Sequence, residues 1–564
     1  MFIYPDYWSV IWADRSEMLV LRRVIKPGQL PRRLYSKPCF SMDERAPLLL
    51  TSAQCITEDT NGYRTGVSGM YQHVGVDLIV SLVVDSIPVV LSYILQNSIQ
   101  TVSVLVTGRL GPEELSAAAF SMMLAYVTGW CIALGGGSAL DTLGSQAFTG
   151  GNSRTDLSIH FQRCVVLLSL LFVPVALLWA FVEPVLLAIG EPPRLCKDVQ
   201  AIMRILIFGA PGYIAFESLK KYLQCQGINR ASTVVLIIIS PINLALNIFF
   251  VHYTPLRMLG CPVALSITYW LCFISLVLVT LLSPAHKANA TWGGLQLRAV
   301  VNLKNCVGFL KLALPGILMI GTEWAAFEIV ALAAGKLGEV PLAAQSVIMT
   351  TDTIINTIPF GFGRSNLFLP SSLFTIHVGV VASNRVGNLL GARSAIAARN
   401  TAHASALTSV FVGSIIMTAM MAVRKSFGYI FSDDEDIAQL VSQVMPLVAS
   451  FQIADGLANA CGGALRGQGR QHLGAVFNII AYYVLALPIG ITLAFSARAH
   501  LGLSGLWIGQ VIGLFTVGIS EYLVVWLGTD WDKEVQKSIL RNEEEAKSRG
   551  LLEQREQIRD ELTN

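Results

Sequence analysis

"TGRLGPEELSAA" (107–118) and "AGKLGEVPLAAQ" (334–345) lie in opposite halves of the chain, yet they match position by position. Gly108 pairs with Gly335, Leu110 with Leu337, Gly111 with Gly338 and Leu115 with Leu342, all at an offset of 227 residues. Pro88 and Pro315 fall at the same offset. Further on, "LQCQG" (223–227) matches "LRGQG" (465–469) at an offset of 242. The halves therefore repeat one pattern, and the second has gained about 15 residues between these landmarks.

What surrounds the repeat is apolar. Of 564 residues, 53% are hydrophobic and 14% charged, against about 25% charged in ordinary soluble domains. Mean hydropathy is +0.58. The apolar residues gather in runs long enough to cross roughly 30 Å of hydrocarbon as helices. "VVLLSLLFVPVALLWAFV" (165–182) is apolar all round, unlike the two-faced helices of soluble proteins. Twelve spans are expected, near 80–104, 116–140, 162–184, 199–219, 231–252, 262–283, 308–333, 341–361, 402–423, 438–461, 473–496 and 502–527.

The expected fold is an all-α polytopic membrane protein, with twelve transmembrane helices in two six-helix lobes. Six spans per half preserve orientation, so the halves form a parallel repeat. The expected division is a polar N-terminal segment (1–75, of which 1–41 reads as a gene-model extension because Met42 opens an alternative start), an N-lobe (76–284), an inter-lobe loop (285–306), a C-lobe (307–528) and a charged tail (529–564). The tail reads as a solvated helix or a disordered segment. The surplus length falls in "FGRSNLFLPSSLFTIH" (362–377), whose removal joins "IPFG" to "VGVVASN" smoothly. It is either a loop insertion or a retained intron, and the smooth join favours the intron.

A net charge of +3 gives no reason to expect a nucleic-acid partner. Ten scattered cysteines form no CxxC or metal-ligand spacing, so neither a disulfide framework nor a metal site is expected. Lys220, Lys221, Arg230, Lys287, Arg298, Lys304, Arg385, Arg393, Arg399, Arg466 and Arg470 crowd the loops expected after even-numbered spans. Taken as loop charges, they place both termini in the cytoplasm by the positive-inside rule. "ERAPLL" (44–49) fits an acidic dileucine sorting pattern, so the vacuolar and the plasma membrane are both open destinations.

Acids inside the spans carry the functional reading. A charge at the bilayer centre costs on the order of 2.5–3.5 kcal/mol by insertion scales. Yet Asp85, Asp141, Glu217, Glu323, Glu328, Asp352 and Asp455 all lie within or close to spans. Basic partners look scarce, so these acids are expected to line a wet cavity. At offset 227, Glu323 matches Gln96 and Glu328 matches Thr101; packing alone does not require that asymmetry. Carboxylates in poorly hydrated sites titrate nearer neutrality and exchange a proton for a cation. Trp324 and Phe327 offer cation–π faces.

"LPGILMIGTEWAAFE" (314–328), "RVGNLLGA" (385–392), "QAFTGG" (146–151) and "ADGLANACGGALRGQGRQ" (454–471) resemble the multidrug and toxic compound extrusion (MATE) family, most closely its eukaryotic, fungal-like branch. The resemblance covers about 75–530 without 362–377. It implies a secondary antiporter, not an enzyme, that exports organic cations, drugs or metabolites against a proton gradient. No cofactor is implied, the partners are small molecules and the lipid bilayer, and a monomer is expected. The family's seventh-span acids fall on Glu323 and Glu328, and its tenth-span acid falls on Asp455, where animal relatives have Glu. An eighth-span acid of animal members falls on Thr350 rather than Asp352. Gln96, Trp324, Asp85 and Asp352 are expected as secondary cavity residues.

Two other classes compete. A membrane-embedded metal enzyme finds only "DDED" (433–436), with Ile437 next and no partner motif. A lipid-linked-sugar flippase requires a cationic cavity, whereas the intramembrane charges here are acidic. Sodium coupling lacks a recognisable oxygen cage. Sequencing the transcript tests the intron: the mature message is expected to lack codons 362–377, and a message that retains them ends the idea.

Overall fold

The computed structural model describes residues 76–357, 372–430 and 434–563. The segment 1–75, with its alternative start and dileucine pattern, lies outside the described residues, as do 362–371 of the surplus stretch and the side chain of Asp352.

Long apolar helices dominate. The N-lobe comprises α1 (Val76–Gly108), α2 (Pro112–Gly150), α3 (Asp156–Ala180), α4 (Pro193–Cys225), α5 (Arg230–His252) and α6 (Gly260–Leu282). The C-lobe comprises α7 (Leu303–Leu337), α8 in two pieces (Glu339–Thr357 and Ser372–Gly391), α9 (Ala395–Phe427), α10 (Glu435–Gln468), α11 (Gln471–Phe495) and α12 (Gly502–Trp526). Eleven helices among the described residues are individually long and apolar enough to cross a bilayer; α8 supplies the twelfth span. Outward faces are greasy, with Leu170, Phe208, Phe411 and Val484 all more than 60% exposed, as lipid contact requires.

The C-terminal end of the surplus stretch, 372–377, is helical. By the repeat, α8 answers α2, which runs unbroken for 39 residues. Helix resumes at Ser372 and continues through "RVGNLLGA" to Gly391. Residues 372–377 of the surplus stretch are thus continuous with that motif. An apolar run cannot show this, because the second part of α8 is small and polar enough to look like a loop.

Lobes meet along α2 and α7. A Cβ on Gly135 would sit 2.6 Å from the carbonyl oxygen of Gly316, so both positions need glycine for the backbones to touch. Hydrogen bonds between the lobes cluster at one end. Gln146 Nε2 donates to the Gly467 carbonyl (3.0 Å), Thr149 Oγ1 to that of Asn388 (2.7 Å), and Gln471 Nε2 to Thr142 Oγ1 (2.9 Å). Asn388 Nδ2 donates to the Cys225 carbonyl at 3.1 Å. This closed end holds the lobes together beneath the cavity described below.

The tail is neither free nor disordered. It forms α13 (Trp531–Thr563) and lies across both lobes at the closed end. On the N-lobe side, Arg163, 1% exposed, grips Glu545 with both terminal nitrogens (2.8 and 3.1 Å), and Arg549 pairs with Asp156. On the C-lobe side, Trp531 and Val535 pack against Val386, Leu390 and Leu465. Arg541 Nη1 bridges the two, donating to Gln146 Oε1 and to the Gln468 carbonyl, each at 3.1 Å. Composition suggested solvation because the tail is highly charged; its charges instead answer polar groups at the helix ends.

Burial pushes the Glu545 carboxyl up, but His160 and Arg163 beside it outweigh this and hold it below the ordinary carboxylate range. A depressed folded pKa contributes stability above the unfolded pKa, near 4.3 for Glu, and loses it as pH falls. Glu545→Ala leaves a buried guanidinium without its carboxylate, costing about 3 kcal/mol. The expected readout is earlier tryptic release of the tail and a lower unfolding temperature in detergent. Wild type should approach the variant below about pH 4.

Candidate functional site

A cavity of about 290 Å³ lies between the lobes. Its N-lobe wall includes Tyr93, Gln96 and Gln100 of α1, Tyr126 and Asp141 of α2, and Tyr213 and Lys221 of α4. Its C-lobe wall includes Glu323 and Trp324 of α7, Asp455, Asn459 and Arg466 of α10, Tyr482 of α11 and Glu521 of α12. Two of these tyrosines are set by local winding. Tyr126 opens a π-helical turn (Tyr126–Trp130) in α2, and Tyr482 lies within another (Ile479–Ala486) in α11. Such turns insert a residue and re-aim the side chains that follow.

On the N-lobe side, each acid has its own cation. Lys220 Nζ bonds Glu217 Oε1 at 2.7 Å and Gln96 Oε1 at 2.8 Å, and sits 3.9 Å from the centre of the Tyr93 ring. Gln96 Nε2 completes the cluster by donating to Glu217 (2.7 Å) and to Tyr213 OH (3.0 Å). Lys221 Nζ pairs with Asp141 Oδ2 at 2.8 Å. Asp85 pairs with Arg385 at 2.8 Å on the seam between the lobes, and is absent from the cavity lining.

These pairs correct the expectation that the intramembrane acids stand as one unpaired set. Lys220 and Lys221 were counted as loop charges because the apolar run ends near 219. They are in fact in the last turns of α4 and nearly fully buried. Arg385, also counted as a loop charge, belongs to α8 and Arg466 to α10.

The C-lobe differs. Glu323 and Glu328 form no ion pair among the described residues; Glu323 Oε1 accepts only a long hydrogen bond from Tyr482 OH, at 3.5 Å. Asp455 accepts from Asn459 Nδ2 at 2.9 Å. Glu521 is fully buried, and neither carboxylate oxygen has a hydrogen-bond partner among the described residues. Sequence reasoning missed Glu521, although its setting, "TVGISEYLVVW" (516–526), carries the same signal as Glu323: an acid in an apolar run. Arg466 was likewise passed over as a candidate.

The repeat makes the contrast sharp. At offset 227 Glu323 stands where the N-lobe has Gln96. At offset 242 Asp455 stands for Tyr213, Asn459 for Glu217, and Gly462 and Gly463 for Lys220 and Lys221. One lobe carries an internally neutralised cluster, and the other carries acids where the lysines have been replaced by glycine.

The structure thus brings Glu323, Asp455, Gln96 and Trp324 to one cavity, with Trp324 edge-on to Tyr126 across the lobe boundary at 5.2 Å between ring centres. It does not bring Glu328 there. Glu328 is half-buried on α7, away from that lining. Five residues turn a helix by about 140°, so the two acids face differently. Phe327 packs against Phe451 in the C-lobe core, their ring centres 5.6 Å apart.

Comparison with known proteins agrees with this architecture. The MatE family profile matches residues 88–249 and 315–492. An uncharacterized transporter of Schizosaccharomyces pombe is 38% identical over 453 residues, 80% of this chain and 79% of that protein. Multidrug and toxin extrusion protein 2 of Mus musculus is 33% identical over 454 residues, 80% of this chain and 75% of its own. Among solved structures, the eukaryotic MATE transporter AtDTX14 superposes with a TM-score of 0.73 at 26% identity, covering 83% of this chain and all of that one. With a twelve-span duplicated fold and relatives matched along most of their length, the chain belongs to the MATE family of membrane transporters.

Proposed function

We propose that this transporter is a secondary active antiporter that exports organic cations, drugs or metabolites in exchange for protons, by alternating access between its two lobes. One observation carries the reading: Glu323 and Glu521, which form no ion pair among the described residues, line a cavity between the lobes with Asp455 beside them, where the repeat puts glycines in place of the N-lobe's lysines. A proton and a cationic cargo both relieve an unneutralised carboxylate, and the two compete. Loading from one side and release to the other then couples their flows. Trp324, Tyr126 and Tyr482 add aromatic faces suited to a soft organic cation. The volume, about 290 Å³, lies at the small end of ligand cavities. Four acids and two bases in the lining favour cations over the anionic headgroup of a lipid-linked sugar.

Glu328 lies farther along α7 from the closed end than Glu323, and we place it on the approach to the cavity. The antiporter works as a monomer in the vacuolar or plasma membrane, without a cofactor. Both termini are cytoplasmic: Arg230, Lys287, Arg298, Lys304, Arg393, Arg399 and Arg470 still favour this once the buried cations are set aside.

The test is tetraethylammonium exchange in proteoliposomes under an imposed pH gradient. Wild type is expected to exchange only with the gradient present. Glu323→Gln and Asp455→Asn should abolish exchange while the protein stays monodisperse, and Glu328→Gln should reduce it. Exchange indifferent to the gradient, or undiminished in Glu323→Gln, rejects the mechanism.

A further inference from the structure

Three basic side chains belong to the cavity and its N-lobe cluster, and they are not equivalent. Lys220 and Lys221 are locked to Glu217 and Asp141. Arg466 lines the cavity half-buried, with no hydrogen bond or ion pair from its guanidinium among the described residues.

Its position follows from the helix. Long side chains on an α-helix lean toward the N-terminus and overlie the residue one turn back. For Arg466 that residue is Gly462. A Cβ built on Gly462 would lie 3.6 Å from Arg466 Nη1 and 3.3 Å from Glu521 Oε2. Met319 Cε comes closest to that point, at 2.6 Å, and the absence of a side chain at Gly462 lets the guanidinium and the buried carboxylate approach it from either side. Glu323 lines the same cavity as Arg466. A guanidinium is always charged and is less strongly hydrated than an ammonium, so it tolerates this partly dry place. In the other lobe the residue at the same repeat position is the uncharged Gln224, at an offset of 242.

We propose that Arg466 is a tethered cation that Glu521 and Glu323 hold while the cavity is empty and yield to the positive charge of the cargo. Resting on the antiport reading above, this assigns Arg466 a role in setting affinity. It lowers the negative charge offered to cargo, takes the place of the cargo's charge when the site empties, and so favours release. Arg466 does not have to touch the cargo.

Binding of tetraethylammonium to purified full-length protein tests this, at a fixed pH where wild-type binding is saturable. Arg466→Gln and Arg466→Met remove the tether, and both are expected to tighten the dissociation constant about tenfold, the order expected for deleting one charge several ångströms away in a partly screened site. Turnover in proteoliposomes should fall at the same time. Arg466→Lys keeps the charge and should stay near wild type in both. Arg466→Gln/Glu521→Gln removes one charge of each sign and should return affinity toward wild type. A purely structural role would weaken binding or lose folded protein in both removals, and either result overturns the proposal, as does unchanged affinity. If Glu323→Gln abolishes exchange yet Arg466→Gln binds no more tightly, the tether alone is wrong. If Glu323→Gln exchanges normally, the antiport reading fails first.

Discussion

A carboxylate inside a membrane-spanning helix must be answered by a fixed cation, a proton, or a ligand that water can deliver. This molecule uses the first answer in one lobe and leaves the others open in the second. Glu217 and Asp141 receive Lys220 and Lys221, adjacent residues near the end of α4. Across the pseudo-symmetry axis the same helix position carries Gly462 and Gly463, so the lysine pair of the N-lobe has no counterpart there. The N-lobe wall is therefore a finished, rigid polar surface. The C-lobe wall has charge left over, and that surplus gives the cavity a use.

In the conformation described, the scaffold brings the two walls together. Glycines at 135 and 316 let α2 and α7 touch backbone to backbone, bringing Tyr126 and Trp324 into contact across the boundary. Below, the closed end is sealed by side-chain amides and hydroxyls donating to carbonyls at the other lobe's helix ends. Beyond that, α13 crosses the seam and engages both lobes, with Arg541 bonded to each. Charge that looked like solvated tail is thereby turned into a brace.

Spans, duplication and the position of Glu323 were legible because each is a local or periodic signal: run length, a constant offset, an acid among apolar neighbours. Pairing was not legible. Lys221 meets Asp141 from 80 residues away, and nothing near either residue announces the other. The hydropathy edge near 219 also misled, since α4 continues to Cys225 while its last turns are buried against protein instead of lipid. A helix can outlast its apolar run wherever neighbouring helices replace the bilayer, and the same error hid the second part of α8. Glu521 is the opposite case: its signal was present and identical in kind to that of Glu323.

Where the strong interactions sit also bears on motion. The buried ion pairs Glu217–Lys220 and Asp141–Lys221 are each internal to the N-lobe, so they move with it as a body. Between the lobes the bonds are mostly neutral, each worth on the order of 1 kcal/mol net because water replaces the partner when the seam opens. The inter-lobe ion pair Asp85–Arg385 is partly solvated, with its aspartate side chain 45% exposed, and pairs of that kind contribute little. Alternating access needs stiff lobes and a soft seam. Where the lobes touch each other directly, charge confined within a lobe and neutral hydrogen bonds between lobes supply that arrangement, and the other charged contacts that span the seam are gathered in α13, through Arg163–Glu545 and Arg541.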